Sequence, residues 1–175
     1  MDRACCFYRL RVWAGAAGTL VAMLSVYGCG SSRGVPKRSA SVDNLNTIGR
    51  AYATATDDLG YPPKSKAEFL PFLKAIVDAE NAAKEQADGD EPVAAADAPK
   101  RTVEGVMRSE SDGEEFVIHW GVDCRGPRSW KAPVLAYEKH GKDGHRYVLQ
   151  GTRGARLVKD TDFAELPFPS GFSPP

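Results

Sequence analysis

After Arg101 the spacing of apolar residues changes from three and four to two, and that change sets the fold class. Upstream, Val42, Leu45, Ile48, Tyr52, Ala55 and Leu59 recur at helical steps and make one amphipathic stripe. Ser41 or Asp43 is placed to cap its start, and Gly60 followed by Pro62-Pro63 stops it. Ser65-Lys66-Ala67-Glu68 is a capping-box pattern that opens a second helix, with Phe69, Leu70, Phe72, Leu73, Ile76 and Val77 as its apolar face. Pro71 lacks a backbone donor, so this helix is expected to kink or divide there.

Downstream, Phe116, Ile118, Trp120 and Val122 alternate with Val117, His119 and Gly121, a strand pattern. Ser111-Asp112-Gly113 before it is turn chemistry, and 124–133 reads as a loop. Residues 134–139, with Leu135 and Tyr137 on one face, then 146–150 and 155–159, are three more short strands separated by Gly-containing turns. Strands this short and closely spaced predict an antiparallel meander. Residues 160–166 offer one or two helical turns, and the Pro-rich end is expected to be extended. The expected fold is therefore α+β: an amphipathic helix and a kinked second helix packed on an antiparallel sheet of three to four strands.

Between the two patterns, 78–99 is mostly Ala, Asp, Glu and Gln, broken by Gly89, Pro92 and Pro99. Such a stretch cannot bury a core and reads as a fraying helix end with a flexible acidic loop. The chain thus divides into a leader (1–28), a tether (29–40), a helical segment (41–80), an acidic loop (81–102), a sheet with a short closing helix (103–168) and a Pro-rich tail (169–175).

The leader is an export signal in composition. Arg3, Arg9 and Arg11 form a basic start, and 12–26 is an uncharged apolar run rich in Ala and Gly. A spanning helix needs roughly 20 apolar residues, so this run fits the core of a secretory signal instead. Val26, Tyr27 and Gly28 then precede Cys29, and Gly30-Ser31-Ser32 follow it. This resembles the bacterial lipoprotein box, which implies cleavage before Cys29 and lipid on its thiol. Membrane attachment through lipid at Cys29 and a cell-envelope location, facing periplasm or exterior, are the expectations. Several acyl chains at about 0.8 kcal/mol per buried methylene would anchor the chain durably.

The whole chain has 23 basic and 23 acidic residues, but they are unevenly placed. Residues 78–115 hold 12 acids against 4 bases, and 125–159 hold 9 bases against 2 acids. Either an acidic linker neutralises a basic sheet of its own chain, or a basic surface faces lipid headgroups, cell-wall polymer or nucleic acid. Nucleic acid asks for exposed aromatic platforms, and Tyr137 and Tyr147 fall where strands bury them, so no such partner is expected.

Reactive groups are sparse. His119, Asp123 and Cys124 are close in sequence, and His140 and His145 flank a turn. A zinc site needs three or four converging ligands, and no C-x-x-C or H-E-x-x-H spacing is present. A Cys124 nucleophile would need a histidine oriented against it. Cys5 and Cys6 leave with the signal and Cys29 is capped by lipid, so Cys124 has no disulfide partner and is expected to be half-buried. Trp120 is expected in the core. Trp130 with Arg125 and Arg128 is a candidate contact patch, because aromatic and arginine residues dominate binding hot spots. No catalytic residue, metal or cofactor is assigned, and an envelope protein is the partner class expected.

"NLNTIGRAYATATDDLGYPPKSKAEFLPFL" resembles the N-terminal segment of prepilin-like exported proteins of planctomycetes, in which Asn-Leu opens a helix, Ile-Gly follows and Gly-x-Pro-Pro ends it. "SESDGEEFVIHWG", "PVLAYEK" and "GHRYVLQGTRGARLVKDTDFAEL" are similar to the strands, hairpin and closing helix of the same group. The resemblance covers 41–77 and 107–168. It implies a helix on a small antiparallel sheet, as in the major pseudopilin of type II secretion, and brings no catalytic residues. The functional expectation is a lipid-anchored, non-enzymatic interaction or structural module. The alternatives are an accessory pseudopilin-like subunit, or a small Cys/His hydrolase or metal-binding protein.

Overall fold

Helix α1, Ala40–Leu59, starts where the Ser39 side chain accepts a hydrogen bond from the Ser41 amide and ends at Gly60, whose left-handed φ of 78° lets its amide return to the Thr56 carbonyl. The structure is a computed structural model that describes residues 39–87, 99–125, 131–152 and 154–172. The cap is thus Ser39 rather than Ser41 or Asp43. Ser41 is fully buried and its hydroxyl is spent elsewhere, accepting from the Glu110 amide at 3.0 Å.

Helix α2, Lys66–Ala87, is one unbroken helix with Pro71 inside it. Ser65 caps the helix as expected, accepting from the Glu68 amide at 3.3 Å, while the Glu68 carboxylate accepts from the Lys64 amide at 2.8 Å, one residue before the cap. Pro71 does not divide the helix because it stands early and on the solvent side, where water can serve the carbonyl it leaves unpaired. The helix also runs past the boundary expected at residue 80. Asn81 exchanges two hydrogen bonds with the Arg101 backbone, at 2.9 and 3.1 Å, so the ends of the acidic stretch are tied down. Residues 88–98 lie outside the described residues.

A short helix α3, Val103–Val106, follows at once where the sheet was expected to begin, with Thr102 Oγ1 accepting from the Gly105 amide at 3.0 Å. Strands β1 (Val117–Ile118), β2 (Val134–Tyr137), β3 (His145–Gln150) and β4 (Ala155–Lys159) then form one antiparallel sheet in the order β1-β2-β3-β4. This is the expected meander. Helix α4, Asp160–Phe163, closes it. β1 is shorter than its apolar alternation because Gly121, at φ 76°, turns the chain and donates its amide to the Pro63 carbonyl at 2.7 Å. All described residues fall in the single compact unit Pro36–Pro175.

Two apolar clusters share the sheet. One joins Leu45, Ile48, Tyr52, Phe69 and Leu73 of the helices to Phe116, Ile118, Ala136 and Leu149. The other joins Val134, Tyr137, Val148 and Val158 to Phe163, with Leu166 and Phe168 against it. Neighbours Val148 and Leu149 belong to different clusters, so the clusters occupy opposite faces of the sheet. Leu135 and Tyr137, expected on one face, are on different ones, because the β2–β3 register shifts between Val134 and Ala136. The tail is not extended: the Phe172 amide donates to the Pro169 carbonyl at 3.1 Å, and the Val134 amide to that of Pro167 at 2.9 Å. Its phenylalanines find a buried aromatic surface, which an extended tail would leave in water.

The first helix is seated by three residues of the "NLNTIG" stretch. Asn44 donates to the carbonyls of Gly105 and Arg108 at 3.0 and 3.1 Å. Asn46 accepts from the Ala155 amide of β4 at 2.9 Å. Gly49 allows close approach, since a Cβ there would meet a Leu149 methyl and the Thr152 carbonyl, each at 3.3 Å. Replacing Gly49 by Val should therefore lower stability by about 1–3 kcal/mol through overpacking. Urea unfolding of the two chains checks this, and an unchanged midpoint would refute it.

Candidate functional site

Strand β1 and the turn after it place the reactive residues. His119 and Trp120 are adjacent, so the backbone sends them to opposite sides of the sheet. Trp120 packs on the helix side, with ring centroids 6.5 Å from Tyr52 and 5.5 Å from Phe69. It is a core residue, as expected. His119 is buried on the other side among Tyr137, Phe168 and Phe172, at 5.6, 5.9 and 4.3 Å. Its Nε2 has no hydrogen-bond partner among the described residues, and burial holds the imidazole below its usual pKa.

Cys124 stays with the helix-side cluster, half-buried and unbridged. Burial and then the Asp123 carboxylate push its thiol up to about 12, so it is a poor thiolate at neutral pH. Nearby, the Tyr52 hydroxyl accepts from the Val122 amide at 3.0 Å, and burial raises that phenol to about 12 despite the bond. His119 and Cys124 are thus packed into separate apolar surroundings rather than aimed at one another. The Asp123 carboxylate is taken by Arg125, through Nε at 3.1 Å and a terminal nitrogen at 3.2 Å.

That pair bears on the expected contact patch. Arg125 is half-exposed, but its guanidinium is already matched to a neighbouring carboxylate. Arg128 and Trp130 lie outside the described residues, as does the lipidation candidate Cys29. His140 is exposed, and the His145 ring meets the Asp143 carbonyl at 2.9 Å. No group of three or more metal-ligating side chains is gathered among the described residues.

Two polar clusters escaped the sequence reading. Glu138 is 1% exposed, and its carboxylate accepts from Ser109 Oγ at 2.7 Å and from the Tyr147 amide at 2.8 Å. Ser109 in turn lies 3.4 Å from Ser41 Oγ and accepts from the Ser111 amide at 2.9 Å. The network joins the start of α1 to the turn at 109–111 and to strands β2 and β3. The second cluster lines a groove of about 910 Å3 beside α1 and α2. Arg50 and Arg101 each take one oxygen of Glu80, while Arg101 also donates to Asn44 at 2.7 Å and Thr47 at 3.3 Å. Its charges are largely matched to one another, which makes the groove a joint between the helices.

One ion pair joins the acid-rich 78–115 to the base-rich 125–159, Lys139–Glu114 at 3.9 Å, while Glu115 pairs with Lys66 of α2. Asp112 reaches across to accept from the His140 and Gly141 amides at 3.0 and 3.3 Å. Burial opposes its ionisation, but these amide bonds and that from Glu114 outweigh it and hold the carboxyl below its usual value. Comparison with protein-family models, with curated proteins and with solved structures finds no match to this chain.

The thiol chemistry is directly measurable. At about pH 8 the Cys124 peptide of the folded chain should be alkylated by iodoacetamide at least about a hundredfold more slowly than in the urea-unfolded chain. Equal rates, read by mass spectrometry of that peptide, would contradict the buried, protonated thiol.

Proposed function

We propose that this chain is a lipid-anchored envelope protein whose α+β domain is a non-enzymatic structural or interaction module of pseudopilin-like fold. One observation carries the reading. The residues through which the chain resembles prepilin-like exported proteins are used as joints: Asn44 and Asn46 bond α1 to α3 and β4, Gly49 seats it on β3, and Pro63 receives the Gly121 amide. A motif spent on joining helix to sheet is a signature of architecture, and it leaves surface contacts as the way to act. Among the described residues no helix is long and apolar enough to cross a membrane. On this reading attachment is through lipid at Cys29.

Mass spectrometry of the mature amino terminus tests the anchoring. The expected product begins at Cys29 and carries diacylglyceryl and acyl mass, and Cys29→Ser should move the protein from the membrane to the aqueous fraction. A free thiol at Cys29 in the exported protein would sink the proposal.

The order helix, helix, four-strand meander favours a second reading, an accessory subunit of a secretion machine. Mild crosslinking in cells followed by purification separates the two. Recovery of secretion components supports the subunit, and a monomer without them supports the independent module.

A further inference from the structure

His119 is the one buried titratable side chain to which the fold assigns no polar partner at Nε2 among the described residues. It is 3% exposed, on the face of the sheet opposite α1 and α2. What covers it is the end of the chain. Phe172 lies 4.3 Å away, ring to ring, and is itself 43% exposed, so a thin strap separates the imidazole from water. Phe168 approaches edge-on at 5.9 Å, and Tyr137 forms the floor at 5.6 Å. The strap is held by few bonds: Val134 to Pro167 at 2.9 Å, and internal turns at 163–172.

We propose that His119 and the segment 164–172 form an acid-sensitive latch: protonation of the imidazole releases the strap from the outer face of the sheet, while the helix-side core stays folded. A neutral imidazole tolerates an aromatic cage, whereas an imidazolium placed there loses hydration and finds no acceptor at Nε2. Water and a free Nε2–H donor bond become available together once Phe172 and Phe168 lift away. The core is insulated, because the helix-side cluster uses the opposite side chains of the same strands.

The charged and titratable groups around this cage are few. On β2 there is the Tyr137 phenol, raised by burial. On β3 there is Arg146, which lies 4.2 Å over the Phe163 ring and donates to Asp160 of α4 at 2.7 Å and to the Lys139 carbonyl at 3.2 Å. On α4 and just after it stand Asp160, Asp162 and Glu165, and residues 166–172 carry no charge. None of these makes an ion pair or a hydrogen bond with the His119 ring.

The sign follows from where the proton prefers to be. Burial lowers the His119 pKa in the closed state, so the open state binds protons more readily. Closure is therefore fully favoured above the ordinary histidine value and weakens as pH falls through it. Each pH unit below that value raises the open fraction by up to about tenfold for one proton.

Hydrogen exchange of the full chain, read by mass spectrometry between about pH 7.5 and 5.5 and corrected for the intrinsic rate, tests the latch. Peptides over 131–137 report the Val134 amide, and peptides over 118–125 report the Val122 amide bonded to Tyr52. Protection over 131–137 and 164–172 should fall several-fold, up to about tenfold, on acidification while 118–125 holds. His119→Phe should remove that pH dependence. His140→Gln with His145→Gln should leave it intact. Phe172→Ala, which spares the core if His119→Phe fails to fold, should lower protection at neutral pH and flatten the acid response. An acid-insensitive strap, an unchanged response in either His119→Phe or Phe172→Ala, loss of the response in the His140/His145 double variant, or loosening of 118–125 in step with the strap would each overturn the proposal.

Discussion

At Gly49 the backbone of α1 lies so near β3 that a single added carbon would come within 3.3 Å of both the Leu149 side chain and the Thr152 carbonyl. That approach sets the height of the helix above the sheet. It brings Leu45, Ile48 and Tyr52 into one cluster with Leu149 and Ala136, and it puts Asn46 within 2.9 Å of the Ala155 amide on β4. A helix raised by a larger residue would lose the packing and the hydrogen bond together. The second helix and the Pro63–Gly121 contact complete the same layer.

The outer face is built differently. Its cover is one turn of helix and a run of Pro and Phe, and its rings meet largely edge-on: Tyr137 with Phe163 at 5.0 Å, and Phe163 with Phe168 at 5.2 Å. Edge-to-face aromatic pairs add directional contacts to simple area burial, which suits a short segment with few backbone bonds. One strand serves both layers, and this keeps His119 apart from Cys124. Their nearness in sequence has no counterpart in a shared site, because a strand followed by a Gly turn sends them into different surroundings.

The helical stripe and the order of four short strands were legible from the periods of the apolar residues, and the Ser65 cap and the Gly60 stop from capping and turn residues. Local rules also misled where longer-range contacts prevailed. Ser39 caps α1 because Ser41 is needed at the buried Ser109 contact. Leu135 and Tyr137 part company because a bulge in β2 breaks the two-residue period. Helix α3 went unseen: four residues with a Gly carry little propensity, and Asn44 supports it from 61 and 64 residues away. The Glu80–Arg101 joint was hidden for a similar reason, since Glu80 read as a helix end and Arg101 as part of a flexible acidic loop.

By itself, then, the sequence determined the class of fold and the succession of the two long helices and four strands, because these follow from hydrophobic period and turn residues along the chain. Tertiary structure decided which polar groups are buried and what they meet. Glu138 reads as an ordinary strand-end carboxylate until Ser109 and the Tyr147 amide enclose it, and His119 reads as a reactive group until three aromatic rings surround it. Burial is a property of where distant segments converge, and neither environment can be read from neighbours along the chain.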